Sequence, residues 1–442
     1  MRLFGTSGIR GIVGEAVTAG LAFRLGSAII PRAGYRVAIG RDARQSGTML
    51  EGALVSGIVS SGGIALTCGV LPTPALSLAA KNHADAGVMI TASHNPPEYN
   101  GFKLFDSKGR EAGRKEEERI ERELDPTRPP KAREFGRAER LRTAVAEHLE
   151  LVLSLVDVDL IRRKAPKVVV DCGNGAGSVS TPYALRMAGC RVAALNSSPS
   201  GVFARGLEPN AENLAGTGTV VRAVRADLGI AHDGDADRAI AIDENGALIG
   251  LDRQLALVAG EEARTGETVV STIEAGIAVR GAVEARGGRL AVTPVGSIHV
   301  AQEMAKRHAS FGGEPCGEYI YSAGAPAPDG ILSALKLVEL FCMKGRLAPL
   351  AAQVKCNPMK RGTYPAKDKE AAMKKIAPLV KKEFRGKAFS GDGVRVDFSG
   401  GWVLVRASGT EPIIRITAEA KDGKTLADAF LRAEGIVRKA VR

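Results

Sequence analysis

The sequence predicts an α/β protein: three consecutive α/β domains with mostly parallel mixed sheets, followed by a smaller C-terminal α+β domain. Three observations carry this prediction. Short β-branched runs bounded by glycine alternate with segments of helical spacing, the rhythm returns after a charged interruption, and about the last eighty residues abandon it. A chain of 442 residues has ample length for several cores.

In the first unit RVAIGRD (36–42), IALTCGV (64–70) and GVMITAS (87–93) read as strands, and Leu50, Leu54 and Ile58 fall on one helical face between two of them. Strands alternating with helices predict a parallel sheet with crossover connections. A charged, proline-containing stretch at 106–140 then interrupts the rhythm. The pattern then resumes with KVVVDCGNGAG (167–177), RVAALN (191–196) and LGIAHDGD (228–235). Asn245-Gly246, set between RAIAID and ALIG, predicts a hairpin that closes the second unit. The third contains TVVSTI (268–273), RLAVTPV (289–295) and a helix over 330–344 with Ile331, Leu335, Val338 and Cys342 on one face. GVRVDF, GWVLVRAS and PIIRITAEA, joined by short glycine-containing links, then predict an antiparallel sheet and a closing helix from about Leu426 to Val441. The domains are drawn at 1–150, 151–250, 251–355 and 356–442.

Composition narrows the function classes. Apolar residues make up 45% and charged residues 25%, which fits neither wholesale disorder nor a membrane bundle. No run approaches the length of a membrane span, and MRLFGTSGIRG lacks the apolar core of a signal peptide, so a cytoplasmic location is expected. Six scattered cysteines without a CxxC pair give no support to a zinc ribbon or a redox dithiol. Lys and Arg exceed Asp and Glu by 61 − 49 = 12, which favours an anionic partner. Aromatics at 4% disfavour single-strand binding through stacked bases, so no nucleic-acid partner is expected. The Lys-rich run 355–387 reads as a solvated helical face.

Four loops carry chemistry. Thr91-Ala92-Ser93-His94-Asn95-Pro96 sets a hydroxyl at the C-terminal edge of a strand, where open α/β sheets bind ligands, with His94 and Lys103 nearby. A lone Ser-His pair is also what a capped turn looks like. Asp233-Gly234-Asp235-Ala236-Asp237-Arg238 alternates three carboxylates after an apolar strand, a hard-oxygen set suited to Mg²⁺. It is not a calcium-binding hand, because Arg238 stands where that loop needs its glycine. Gly313-Glu314-Pro315-Cys316-Gly317-Glu318 offers backbone donors and two carboxylates for sugar hydroxyls, and alone would be a turn. Arg406-Ala407-Ser408-Gly409-Thr410-Glu411-Pro412, with Arg415 following, has the ingredients to clasp a phosphate dianion. Gly173-Asn174-Gly175-Ala176-Gly177 misses the dinucleotide spacing and reads as a tight strand-to-helix turn, while Arg10 in a glycine-rich loop could reach a phosphate.

GTSGIRG (5–11), GRDAR (40–44), TASHNP (91–96), NGFK (100–103), DGDADR (233–238), GEPCGE (313–318) and RASGTEP (406–412), in this order, resemble the α-D-phosphohexomutase superfamily across almost the whole chain. The resemblance implies four domains around a central cleft and phosphoryl transfer between two hydroxyls of one sugar phosphate through a phosphoserine. It implies Ser93 as that phosphoserine and Asp233, Asp235 and Asp237, with its phosphate, as ligands of one Mg²⁺. Arg10, Lys103 and Arg238 would surround the transferring phosphoryl group. Glu314, Cys316 and Glu318 would contact the sugar, and Arg406, Ser408, Gly409, Thr410 and Arg415 would hold the phosphate that is not reacting. A hexose 1,6-bisphosphate would serve as activator, and the enzyme would be a monomer or a homodimer. Many members have Ser and His where this chain has Cys316 and Glu318, which leaves Lys103, His94 and Glu318 as alternatives for proton transfer. The GEPCG wording is similar to that of archaeal phosphoglucosamine mutases, which implies interconversion of glucosamine 6-phosphate and glucosamine 1-phosphate. The alternative is a phosphoglucomutase or phosphomannomutase. A phosphatase that hydrolyses its phosphoserine, and a non-catalytic polyanion binder, are the competing classes.

Overall fold

The computed structural model describes residues 3–5, 8–124, 134–409 and 412–441. Its first sheet has the order β1-β5-β4-β2-β3-β6, from β1 (Ile9–Ile12), β2 (Arg36–Arg41), β3 (Ile64–Val70), β4 (Ala86–Ile90), β5 (Tyr99–Asp106) and β6 (Arg137–Arg140). Strands β4, β2, β3 and β6 run parallel, and β5 and β1 add an antiparallel edge. Alternation along β2 and β4 sends Val37, Ile39, Val88 and Ile90 into one core and Ala38 and Met89 into another, so helices cover both faces.

The described part of the stretch 106–140 belongs to this unit. It carries the helix Arg114–Glu123, which buries Ile120, and β6, which pairs with β3. Its charge suits that position, since the helix is otherwise a solvated surface element and β6 is an edge strand.

The second sheet has the order β10-β9-β7-β8, from β7 (Lys167–Asp171), β8 (Arg191–Leu195), β9 (Leu228–Ala231) and β10 (Ile240–Ile242). The Asn245-Gly246 turn follows β10, closed by a bridge between Ile242 and Leu248. The third has the order β12-β11-β13-β14, from β11 (Thr268–Thr272), β12 (Arg289–Thr293), β13 (Phe311–Gly313) and β14 (Tyr319–Tyr321). These two units share one core, in which Val168 and Val170 belong to the same cluster as Val269, Phe311 and Leu335. The helix Gly330–Lys344 lies in that cluster, its first turn capped by Asp329.

The fourth sheet is wholly antiparallel, with the order β15-β19-β18-β17-β16 from β15 (Met359–Pro365), β16 (Gly386–Ser390), β17 (Val394–Phe398), β18 (Gly401–Ala407) and β19 (Ile413–Ala420). The helices Lys369–Glu383 and Gly423–Ala440 pack on it. The Lys-rich run is therefore only in part a helical face, since β15 takes its first residues. All six cysteines are free thiols. Among the described residues no helix is long and apolar enough to cross a membrane.

Candidate active site

β4 ends at Ile90, and the chain turns sharply through Ser93, whose φ of 50° lies in the left-handed region. A non-glycine residue holds that conformation only when its surroundings impose it. Here Thr91 Oγ1 accepts the Ser93 N–H at 2.8 Å, and Arg44 Nη2 donates to the carbonyls of Ser93 (2.9 Å) and Asn95 (2.7 Å). The result is a buried hydroxyl aimed at the second unit, donating to Asp233 Oδ2 at 2.6 Å.

Asp233, Asp235 and Asp237 follow β9 in a loop that also contains a left-handed residue, Ala236 at φ 55°. Each carboxylate uses Oδ2 within the protein. Asp233 accepts Ser93, Asp235 accepts Thr73 (2.6 Å) and Lys103 Nζ (2.8 Å), and Asp237 accepts Lys103 Nζ (2.6 Å). All three Oδ1 atoms are buried without a partner, and each residue offers an oxygen within 4.8 Å of the other two. Orphaned buried carboxylate oxygens are costly, and a divalent cation that takes hard oxygens satisfies them together. The residues therefore fit a Mg²⁺ ion.

The electrostatics agree with that fit. Burial and repulsion from Asp237 and Asp235 push Asp233 well up, and burial and Asp235 push Asp237 up to about 7. Burial works against the charged form of Asp235 too, but Lys103 outweighs it and holds that carboxyl low. Lys103 in turn is kept cationic by Asp235 and Asp237 despite its burial, which suits charge neutralisation better than proton removal. His94 Nδ1 lies 3.3 Å from Ser93 Oγ, and burial, Arg238 and Arg10 hold the imidazole neutral. Ser93 Oγ gives its one proton to Asp233 Oδ2, so the imidazole flanks the hydroxyl, and its lowered basicity makes it a weak proton acceptor.

The other predicted residues gather on this centre to different degrees. Arg10 reaches the Ser93 loop through Asn95 Oδ1 at 3.3 Å, with its Nε buried and unpartnered, as a site for an incoming anion requires. Arg238 pairs with Glu318 at 3.1 Å and Glu208 at 3.6 Å while its charge still acts on Asp233 and Asp237. The Glu314–Glu318 turn docks on the metal loop, where Arg238 and Glu318 form a bridge and Ala239 N donates to Gly317 O. Arg406 and Arg415 are register partners on β18 and β19, which sets two guanidinium side chains next to each other. Arg406 is tied to Glu274 of the third unit at 2.7 Å, not to the Ser93 loop. Ser408 accepts Lys369 Nζ at its carbonyl, and Gly409 follows it. Thr410 lies outside the described residues.

Several residues that matter here carry no sequence role. Thr73 binds Asp235 by both hydroxyl and backbone, since its N–H donates to Asp235 O at 3.0 Å. The Gly173–Gly177 turn braces the metal loop through Ala176 N to Gly234 O at 2.9 Å, and Arg205 ties Asp171 to the carbonyl of His232. The GRDAR motif was the available signal for Arg44, while Thr73 and Arg205 had none.

The Ser93 and metal loops touch at Gly234, where an added Cβ would stand 2.4 Å from the Ser93 carbonyl oxygen. Gly234→Ala is expected to separate hydroxyl from carboxylates and lower kcat about 100-fold, as misplacements on the order of 1 Å do. Steady-state kinetics checks this, and a kcat within twofold of wild type would show that the two loops do not meet during the reaction.

Comparison with known proteins agrees with this geometry unit by unit. Residues 1–129, 146–246 and 251–356 match domains I, II and III of the family described as phosphoglucomutase/phosphomannomutase, and residues 359–433 match its C-terminal domain. The chain belongs to the phosphoglucomutase/phosphomannomutase family. As a family member it is a phosphohexomutase, an isomerase. It is 41% identical over 445 residues to a probable phosphoglucosamine mutase of Methanococcoides burtonii, covering 100% of both chains. It is also 41% identical over 435 residues to a phosphoglucomutase/phosphomannomutase of Thermococcus kodakarensis, covering 95% of each. Among solved structures, a family protein from Burkholderia thailandensis superposes with a TM-score of 0.88 at 24% identity, over 100% of this chain and 98% of the other. The N-acetylphosphoglucosamine mutase of Aspergillus fumigatus, solved with GlcNAc-6P and magnesium, superposes at 0.64 and 17% identity over 100% and 96%. At those identities the two structures speak to the fold of the phosphohexomutase and to nothing finer.

Proposed function

We propose that the chain interconverts glucosamine 6-phosphate and glucosamine 1-phosphate through a phosphoserine at Ser93 and a sugar 1,6-bisphosphate. The observation that carries the mutase chemistry is the Ser93 hydroxyl hydrogen-bonded to one of three aspartates that each leave an oxygen free. Mg²⁺ held by Asp233, Asp235, Asp237 and the Ser93 phosphate would neutralise charge on the phosphoryl group. Phosphoryl transfer asks the protein mainly for position and compensating charge. Arg10 and Lys103 supply cations around Ser93, and His94 flanks its hydroxyl. Glu314, Cys316 and Glu318 orient the ring. Arg406, Ser408, Gly409 and Arg415 grip the remote phosphate, and Thr410 completes that group. Because the sugar must turn over between half-reactions, one remote grip has to serve both orientations, which a mobile fourth domain supplies.

The amino sugar is supported by the full-length relatives named for it and by the GEPCG motif. A second reading, glucose or mannose phosphates, is favoured by the equally similar Thermococcus kodakarensis relative. Incubation with Mg²⁺ and glucose 1,6-bisphosphate is expected to add one phosphate by intact mass, mapping to the peptide that contains Ser93. The kcat/KM for glucosamine 6-phosphate is then expected to exceed those for glucose and mannose 6-phosphates. No mass gain would sink the mutase reading, and a preference for a neutral hexose would sink the amino sugar.

A further inference from the structure

The cleft of a phosphosugar enzyme gathers cations, and here Arg10, Lys103, Arg406 and Arg415 follow that rule. The Glu314–Glu318 turn breaks it. Its nearest cation, Arg238, is shared between two carboxylates, Glu318 at 3.1 Å and Glu208 at 3.6 Å, so one negative charge is left over on the sugar side. Glu314 and Cys316 each offer an atom within 4.8 Å of Glu318 and add no positive charge. Glu314 Oε2 accepts the Gly296 N–H at 3.0 Å.

Glu318 has a specific vacancy. Arg238 delivers both Nε and Nη2 to the same oxygen, Oε1, each at 3.1 Å. Among the described residues nothing bonds Oε2. The side chain is 14% exposed, so this oxygen belongs to a carboxylate that is partly open to the cleft, fixed in direction by a two-pronged guanidinium. A surplus negative charge held still in a poorly solvated cleft repels phosphate and attracts a cation. The phosphates of the substrate cannot be what it meets. The one cationic group a phosphosugar can carry is an amine.

We propose that Glu318 selects an amino sugar, its Oε2 accepting a hydrogen bond from the C2 ammonium of glucosamine phosphate while Arg238 fixes the carboxylate through Oε1. This rests on the phosphoglucosamine reading above and supplies the residue that decides it. A neutral hexose places a hydroxyl there and loses the charge on the donor side of the bond. Burial and the charge of Glu318 raise Glu314 well above the usual carboxylate range, so Glu314 is a neutral neighbour and the ammonium faces one anion, not two. The charged and titratable groups that act on the Glu318 carboxylate are Arg238 and Asp237 from the second unit, Glu314 and Cys316 from the same turn, and Glu111 from the first, with Glu208 sharing Arg238.

The test is a ratio. For wild type, Glu318→Gln and Glu318→Asp, kcat/KM is measured with glucosamine 6-phosphate and glucose 6-phosphate between pH 6.5 and 9.5, a window of about 1.5 units either side of pH 8. Glu318→Gln is expected to lower the amino-to-neutral ratio about 30-fold, the range of a hydrogen bond to a charged group. In wild type that ratio is expected to fall as pH rises through about 8, the range of an α-amino group, because only the ammonium is selected. Glu318→Gln should flatten this dependence and Glu318→Asp, which keeps the charge, should retain it. An equal loss for both sugars, with the pH dependence of the ratio unchanged, would overturn the assignment and make Glu318 a proton-transfer or Arg238-positioning residue. A wild type that prefers glucosamine phosphate with no change of ratio in Glu318→Gln overturns this inference alone. A wild type that turns over only neutral hexose phosphates overturns the amino-sugar reading with it.

Discussion

Ser93→Ala is expected to abolish mutase turnover, by about 10⁴-fold or more in kcat, and to take up no phosphate from a sugar bisphosphate by intact mass. The reason is local. Ser93 is the only hydroxyl held within bonding distance of Asp233 among the described residues, and the left-handed turn at φ 50° aims it there. His94, Lys103 and the aspartates supply charge and a proton acceptor, but none of them can carry a phosphoryl group through this geometry and return it. Removing the hydroxyl leaves Asp233 Oδ2 without its donor, which raises that already elevated carboxyl further and costs little stability, because a neutral acid is the form burial favours. The variant should therefore fold and bind phosphosugar while remaining inert. A Ser93→Ala enzyme with measurable exchange would mean that another nucleophile carries the phosphate.

The alternation of β-branched runs with helical spacing made the parallel parts of the first three units legible, because strands buried on both faces, such as β2 and β4, must be almost wholly apolar. What stayed hidden was the antiparallel edges. β5 contains Asn100, Gly101 and Lys103, a polar composition that denies it a strand signature. Yet an alanine Cβ at Gly101 would meet the Ile9 carbonyl at 2.0 Å, so β1 needs the glycine there to approach. β5 also delivers Lys103 to the aspartates, so the residue with the clearest charge role sits on a strand that hydrophobic pattern cannot find. The Ser93 and aspartate loops were legible for the opposite reason. Alternating aspartates and a Thr-Ala-Ser-His string have little use in a core and stand out against it. Thr73 and Arg205 were invisible because a lone hydroxyl or guanidinium becomes functional only through the partner that folding brings to it.

Arg44→Met is expected to lower the melting temperature by about 10 °C and kcat by at least about 100-fold, and it tests how the Ser93 turn is held. Arg44 has five N–H donors and uses all of them. Nε bonds Asp42 Oδ2 at 3.0 Å, Nη1 bonds the carbonyls of Pro96 and Tyr99 at 2.6 and 2.9 Å, and Nη2 bonds those of Ser93 and Asn95 at 2.9 and 2.7 Å. The guanidinium is fully buried and lies 5.5 Å from the ring of Phe203 in the second unit, so the residue spans both sides of the cleft floor. Methionine fills similar volume but removes the guanidinium donors from the carbonyls of Ser93, Asn95, Pro96 and Tyr99 and the cation from Asp42, of which Pro96 keeps the Tyr99 N–H and Asp42 keeps the Thr91 hydroxyl. Burial already pushes Asp42 up against the pull of Arg44, and without that cation it takes a proton, which limits the electrostatic cost but not that of the carbonyls. Arg44→Lys separates stability from catalysis. It restores a charge for Asp42 and recovers part of the melting temperature, yet three ammonium hydrogens cannot reach four carbonyls in a planar fork. Its kcat should stay low with KM for the phosphosugar little changed, because the phosphate grip proposed at Arg406 and Arg415 is elsewhere. A Lys variant with wild-type kcat would show that the carbonyl fork is dispensable and that the left-handed turn is kept by Thr91 alone.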